Sequence, residues 1–108
     1  MTRGDIVVFA TKGAYTSKPR PALVVQADRF NPTHGSITVC PITSDCIDAP
    51  LFRIALPPGG RTGLSAVSQV MVDKVVSVPR VAIARGIGRG DPAEVSQVED
   101  ALRLWLGL

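Results

Sequence analysis

A chain of 108 residues with 45% hydrophobic content is expected to build one folded domain, residues 1–108, around a single core, and this composition excludes a disordered chain. Twelve Lys and Arg against nine Asp and Glu leave a net charge of +3, which permits an anionic partner without demanding one. The N-terminus lacks the long apolar region of a signal peptide, and no stretch reaches the ~20 apolar residues of a membrane span, so a cytoplasmic protein without membrane attachment is expected.

Aromatic residues are few (Phe9, Tyr15, Phe30, Phe52 and Trp105), so the core must be built from Val, Ile, Leu and Ala, and valine-rich runs favour strands. Ile6–Ala10 reads as the first strand. Thr11–Ser17, with Lys12, Gly13, Tyr15 and three hydroxyl residues, reads as a loop. Lys18-Pro19-Arg20-Pro21 leads into a second strand, Ala22–Gln26. Asp28, Asn31, Pro32 and Gly35 are turn formers. Ser36–Pro41 alternates as a half-buried third strand, with Ile37, Val39 and Pro41 set against Ser36, Thr38 and Cys40, and it runs out into Thr43-Ser44-Asp45. Leu51–Leu56 is a fourth strand. Leu64–Val78 is a long β-type segment that the Asp73-Lys74 pair divides in two.

In the stretch from Val81 to Gly90, the glycines at 86, 88 and 90 oppose a regular helix and leave a short strand or an arginine-lined turn. The final element is an amphipathic helix. Asp91 caps it, Pro92 opens it and Glu94 completes a capping box. Val95, Val98, Leu102, Trp105 and Leu106 form its apolar stripe, and Gly107 ends it. Short strands followed by one helix make a β-rich α+β domain, a small antiparallel barrel or curled sheet with the helix packed on it.

Charge is segregated along the chain. Thr11–Ala27 carries Lys12, Lys18 and Arg20 without an acid, and Arg80–Gly90 carries Arg80, Arg85 and Arg89 likewise, whereas Asp91, Glu94, Glu99 and Asp100 gather near the end of the chain. Cys40 and Cys46 lie six apart with only one histidine in the chain, short of the four ligands of a zinc site, so no metal is expected and both thiols are expected to be free and buried. Gly86-Ile87-Gly88 leads into Asp91, whose charge repels a phosphate at that helix start. His34, the sole histidine, stands in a turn of exposed polar residues, which counts against acid–base work.

The chemistry that remains lies at two strand ends. Arg20 sits between two prolines that stiffen the approach to its strand and presents a planar fork of donors matched to phosphate. Thr43 ends the next strand, and if the two strands pair as antiparallel neighbours they bring Arg20 and Thr43 to one rim. A guanidinium and a hydroxyl converging there suit a phosphodiester; a strand-end hydroxyl tied to its own backbone is the plainer alternative.

Five segments in order over the chain sharpen this: Arg3-Gly4-Asp5-Ile6-Val7; Pro19-Arg20-Pro21-Ala22-Leu23-Val24-Val25-Gln26; Val39-Cys40-Pro41-Ile42-Thr43-Ser44; Ser68-Gln69-Val70-Met71-Val72-Asp73-Lys74 with Val78-Pro79-Arg80; and Leu104-Trp105-Leu106-Gly107-Leu108. With these the chain resembles the MazF/PemK toxins, the ribonuclease half of type II toxin–antitoxin pairs. The resemblance implies an SH3-like antiparallel barrel of the CcdB/MazF type with a C-terminal helix, a homodimer, and a cognate antitoxin as partner. It implies metal- and cofactor-independent, sequence-selective cutting of single-stranded RNA by attack of a ribose 2′-OH on the adjacent phosphate. By the same resemblance Arg20 and Thr43 are the catalytic pair. Lys12 and Lys18 would guide the RNA backbone, Tyr15 either stacks on a base or packs under its own loop, and Ser44 and Gln69 are candidates for the rim. Many relatives carry glycine just before the Arg-Pro element, where this chain has Lys18 and Pro19, a stiffer approach. A gyrase poison of the CcdB kind, sharing the fold, is the alternative; the leucine between Trp105 and Gly107 departs from its Trp-Gly ending.

Overall fold

The computed structural model describes residues 1–10 and 18–108. Its elements are β1 (Asp5–Phe9), β2 (Arg20–Val24), β3 (Ser36–Thr43), β4 (Arg53–Leu56), β5 (Ser68–Met71), β6 (Val76–Pro79), β7 (Ile83–Arg89) and α1 (Pro92–Leu106). All pairings are antiparallel, along the path β4-β5-β3-β2-β1-β7. β3 is the spine. One edge takes β2; the other takes β6 along Ser36–Val39 and then β5 at Ile42 and Thr43. The expected division of Leu64–Val78 is a single 3₁₀ turn, Val72–Lys74, in which Asp73 faces Arg53 at 3.3 Å. Among the described residues no helix is long and apolar enough to cross a membrane.

Both faces of the central strands are buried. On one, Ile6, Leu23, Cys40, Ile42, Ile54, Leu56, Val70 and Val72 pack with Val98 and Ala101 of α1. On the other, Val7, Ala22, Val24, Ile37, Val39 and Val78 pack beneath Phe9, Ala82 and Ile83. β3 feeds both clusters, so its simple alternation fails halfway. Ile37 and Val39 face one core, Cys40 and Ile42 the other, and Pro41 is only half-buried.

The ambiguous Val81–Gly90 stretch contains the longest strand after β3. Five residues of β1 lie opposite seven of β7, with register irregularities after Ile6 and after Val8. Each extra residue bends and twists the strand, which curls the sheet. The curl brings β7 onto the connection after β4, where the Arg89 N–H donates to the Arg61 carbonyl at 2.8 Å. Two glycines permit that approach. Gly63 has φ +73, and a Cβ there would stand 2.1 Å from the Ile87 carbonyl oxygen; one on Gly88 would stand 2.3 Å from the Thr62 carbonyl carbon.

The helix starts as its sequence predicts. The Asp91 carboxylate accepts from the Glu94 N–H at 2.8 Å, and Glu94 accepts from the Asp91 N–H at 2.9 Å. Gly107, with φ 71, ends it. The apolar stripe does not run its full length. Val98 and Ala101 are buried, but Trp105 and Leu106, in the last turn, are 47% and 54% exposed, and Trp105 meets the edge of Phe52 with ring centroids 5.1 Å apart.

Candidate active site

Prolines shape the rim where β2 begins and β3 ends. The ladder between these strands runs Val24↔Val39, Leu23↔Cys40, Ala22↔Pro41 and goes no further. Pro21, next in register opposite Ile42, has no N–H to continue it. The same register carried on by two residues sets Arg20 opposite Thr43, unpaired by backbone hydrogen bonds. On the outer sides Phe9 stands opposite Arg20, Gln69 opposite Thr43, and Ala55 opposite Gln69. Residues facing each other across antiparallel strands share a face. Phe9, Arg20, Thr43, Gln69 and Ala55 therefore form one row, buried less deeply than the cores beneath it.

Arg20 is exposed, and among the described residues no carboxylate lies within 4 Å of its guanidinium. Thr43 is half-buried, and its Oγ1 accepts from the Asp45 N–H at 3.0 Å. That is the local tie expected of a strand-end hydroxyl. It uses an acceptor site only, so the hydroxyl proton stays available to a third party. Lys18 and Ser44, next to the row in sequence, are exposed. Lys12 and Tyr15 lie outside the described residues.

Gln69 does something sequence reasoning did not find. Its Oε1 accepts from the Ile47 N–H at 3.1 Å and its Nε2 donates to the Ile47 carbonyl at 2.9 Å. The amide clamps the connection after Thr43. Only its place opposite Thr43, a matter of long-range register, could have revealed this.

Other basic residues behave differently. Arg80 is half-buried and donates to the carbonyls of His34 (2.9 Å) and Asn31, stitching the 28–36 turn to the sheet. Arg85 stands opposite Val8, on the other face from Phe9 and Arg20, and Arg89 lies opposite Asp5 at the far end of β1. His34 is exposed, and its backbone carbonyl is what the fold uses.

The two thiols part company. Cys40 is buried, and desolvation first, then the nearby Asp73 carboxylate, pushes its pKa from 9.0 up to about 12. Cys46 is exposed, contrary to expectation. It lies beyond the end of β3, with Sγ 3.7 Å from the Val67 carbonyl oxygen.

The family model for the PemK-like, MazF-like toxin of type II toxin–antitoxin systems matches residues 2–106. The chain is 47% identical over its full length to the "Probable endoribonuclease MazF" of Mycolicibacterium smegmatis, covering 98% of that protein. It is similar to MazF of the MazE–MazF crystal structure from Deinococcus radiodurans, with a TM-score of 0.85, 27% identity, and coverage of 100% of this chain and 97% of that one. A mycobacterial endoribonuclease in complex with its cognate antitoxin shares the fold, with a TM-score of 0.82, 20% identity, and 100% and 96% coverage. These matches side with the RNA-cutting reading against the gyrase-poison one.

Proposed function

The chain belongs to the PemK/MazF-like toxins of type II toxin–antitoxin systems, an endoribonuclease family, and from that premise we propose that residues 1–108 act as one toxin domain that cuts single-stranded RNA at the rim where Arg20 faces Thr43. The observation that supports this reading is the β2–β3 register, which, carried two residues past Ala22↔Pro41, puts an exposed arginine without a carboxylate partner opposite a hydroxyl with a free proton.

In the proposed reaction the ribose 2′-oxygen attacks the adjacent phosphorus, and the bond from phosphorus to the 5′-oxygen breaks. The 2′ proton is given up as the leaving oxygen gains one, so the products are a 2′,3′-cyclic phosphate and a 5′-hydroxyl. Arg20 remains protonated throughout, since a guanidinium does not lose its proton in a protein. Its part is to hold the non-bridging oxygens as negative charge builds on them, while the Thr43 hydroxyl donates to the same charge. A fixed guanidinium supplies the positive charge at this position, so the cutting is expected to proceed without a metal. Lys18, and Lys12 and Tyr15 before it, guide the strand on its way to the rim, and Ser44 lines the far side.

Two partners belong to the same proposal. An antitoxin with an acidic, partly disordered tail would occupy the basic rim and exclude RNA. A second copy of the chain would cover apolar side chains at the end of α1, where Leu104, Trp105, Leu106 and Leu108 are exposed. A cytoplasmic location follows from an RNA substrate.

The test is incubation of the purified protein with mixed-sequence RNA in EDTA beside Arg20→Ala. The expected outcome is cutting at a short sequence, with cyclic phosphate ends, reduced by about 10²–10³-fold in the variant. Equal cutting by both proteins sinks the assignment.

A further inference from the structure

The turn that follows Thr43 is held from outside. Residues 44–48 are exposed and belong to no strand or helix. What ties them to the sheet among the described residues is a small set of bonds: Asp45 N–H to Thr43 Oγ1, the two-way amide bond between Gln69 and Ile47, and the long contact from Cys46 Sγ to the Val67 carbonyl. The first sets where the Thr43 proton points. A hydroxyl that accepts from one direction is left to donate in another, so moving Asp45 re-aims the proton. Asp45 is two residues from Ile47, and Gln69 grips both backbone groups of Ile47.

We propose that Gln69 is a positioning residue of the RNA-cutting site, acting through Ile47 and Asp45 to aim the Thr43 hydroxyl at the scissile phosphate. The inference rests on the Arg20–Thr43 reading above. It departs from a role for Gln69 at the RNA-binding rim, because the amide's donor and acceptor ends already face Ile47. A residue that holds geometry for the transition state lowers kcat when removed and leaves KM alone; one that grips substrate does the reverse.

Two variants test it. Gln69→Leu removes both bonds. Gln69→Glu is nearly isosteric and keeps an acceptor for the Ile47 N–H, but loses the donor and sets a carboxylate oxygen against the Ile47 carbonyl. Both are expected to lower kcat on RNA about tenfold or more with KM within about twofold, and to speed amide exchange at Ile47. Thermal melting confirms that each variant is folded. In single-turnover cutting, Gln69→Leu combined with Thr43→Ala is expected to be no slower than Thr43→Ala alone, because both changes remove the same aimed proton.

A raised KM with kcat intact overturns the proposal in favour of direct RNA contact. Independent, multiplying losses in the double variant overturn it too, as does faster exchange at Ile47 with full kcat. Arg20→Ala, run alongside, reports on the site itself: if it cuts normally, the failure lies with the site assignment and not with the clamp.

Discussion

Two ends of the curled sheet use arginine in opposite ways. At the seam where the connection after β4 meets β7 and the start of α1, Arg61 donates to both oxygens of Glu94, at 2.8 and 3.2 Å, and to the Arg89 carbonyl at 3.1 Å. The hydrogen bond to Glu94 holds its guanidinium above even its ordinary pKa. Glu94 in turn completes the helix capping box, so one carboxylate joins the helix to the seam. At the rim, exposed Arg20 has no carboxylate partner among the described residues. A cation already answered within the fold serves architecture; one left unanswered, on a stiffened approach, is prepared for an anion from outside.

The seam is the place to break this comparison most forcefully. Gly88→Ala sets a methyl against the backbone of Arg61 and Thr62, which no side-chain rotation relieves. A loss of about 3 kcal/mol of stability is expected, read as a lower denaturation midpoint in urea, with the catalytic rate of the remaining folded protein unchanged. Arg20→Lys probes the other end. It keeps the charge but not the planar fork, and should slow cutting about 30- to 100-fold, or about 2–3 kcal/mol in the barrier, with the urea midpoint unmoved. An equal stability loss in both variants would mean that the rim is structural like the seam.

The thiols give the smallest contrast. With a pKa of about 12, Cys40 holds roughly one part in ten thousand as thiolate at pH 8. A thiol reagent should therefore label the exposed Cys46 in the native protein, and Cys40 only on unfolding. The folded state binds this proton more tightly than the unfolded chain does. The burial of Cys40 thus leaves stability untouched below pH 9 and lowers it as pH rises from about 9 toward 12, which urea titrations across that range would show.

What could be read from residues alone was whatever depends on near neighbours. Asp91-Pro92 with Glu94 announced the helix start, the prolines around Arg20 announced a stiff strand approach, and Asp73-Lys74 announced a break between strands. What depended on distant packing was hidden. β7 lacks apolar alternation because two of its residues are extra to the pairing with β1, and Gly88 serves a close approach to Thr62 rather than a turn. Cys46 and Trp105 were expected to be buried from their residue types. Cys46 lies past the end of β3 and Trp105 in the last turn of α1, and both are exposed. The Arg20 and Thr43 rim lay between these cases: each residue was conspicuous in its own strand, but the β2–β3 register that points them to one rim is visible only in the folded chain.

That register has a consequence for how this chain can vary. Side chains on a strand change sides with every residue. Deleting or inserting one residue between Ala22 and Val24, or between Val39 and Thr43, would therefore turn one member of the pair toward the opposite surface, together with the core side chains on its side of the change. Length changes in the turn from Asp28 to Gly35 would leave the two facing. That turn can change length where its ties to Arg80 are kept, whereas the spacing from the last paired residue to the rim is fixed by the two cores that the same strands feed.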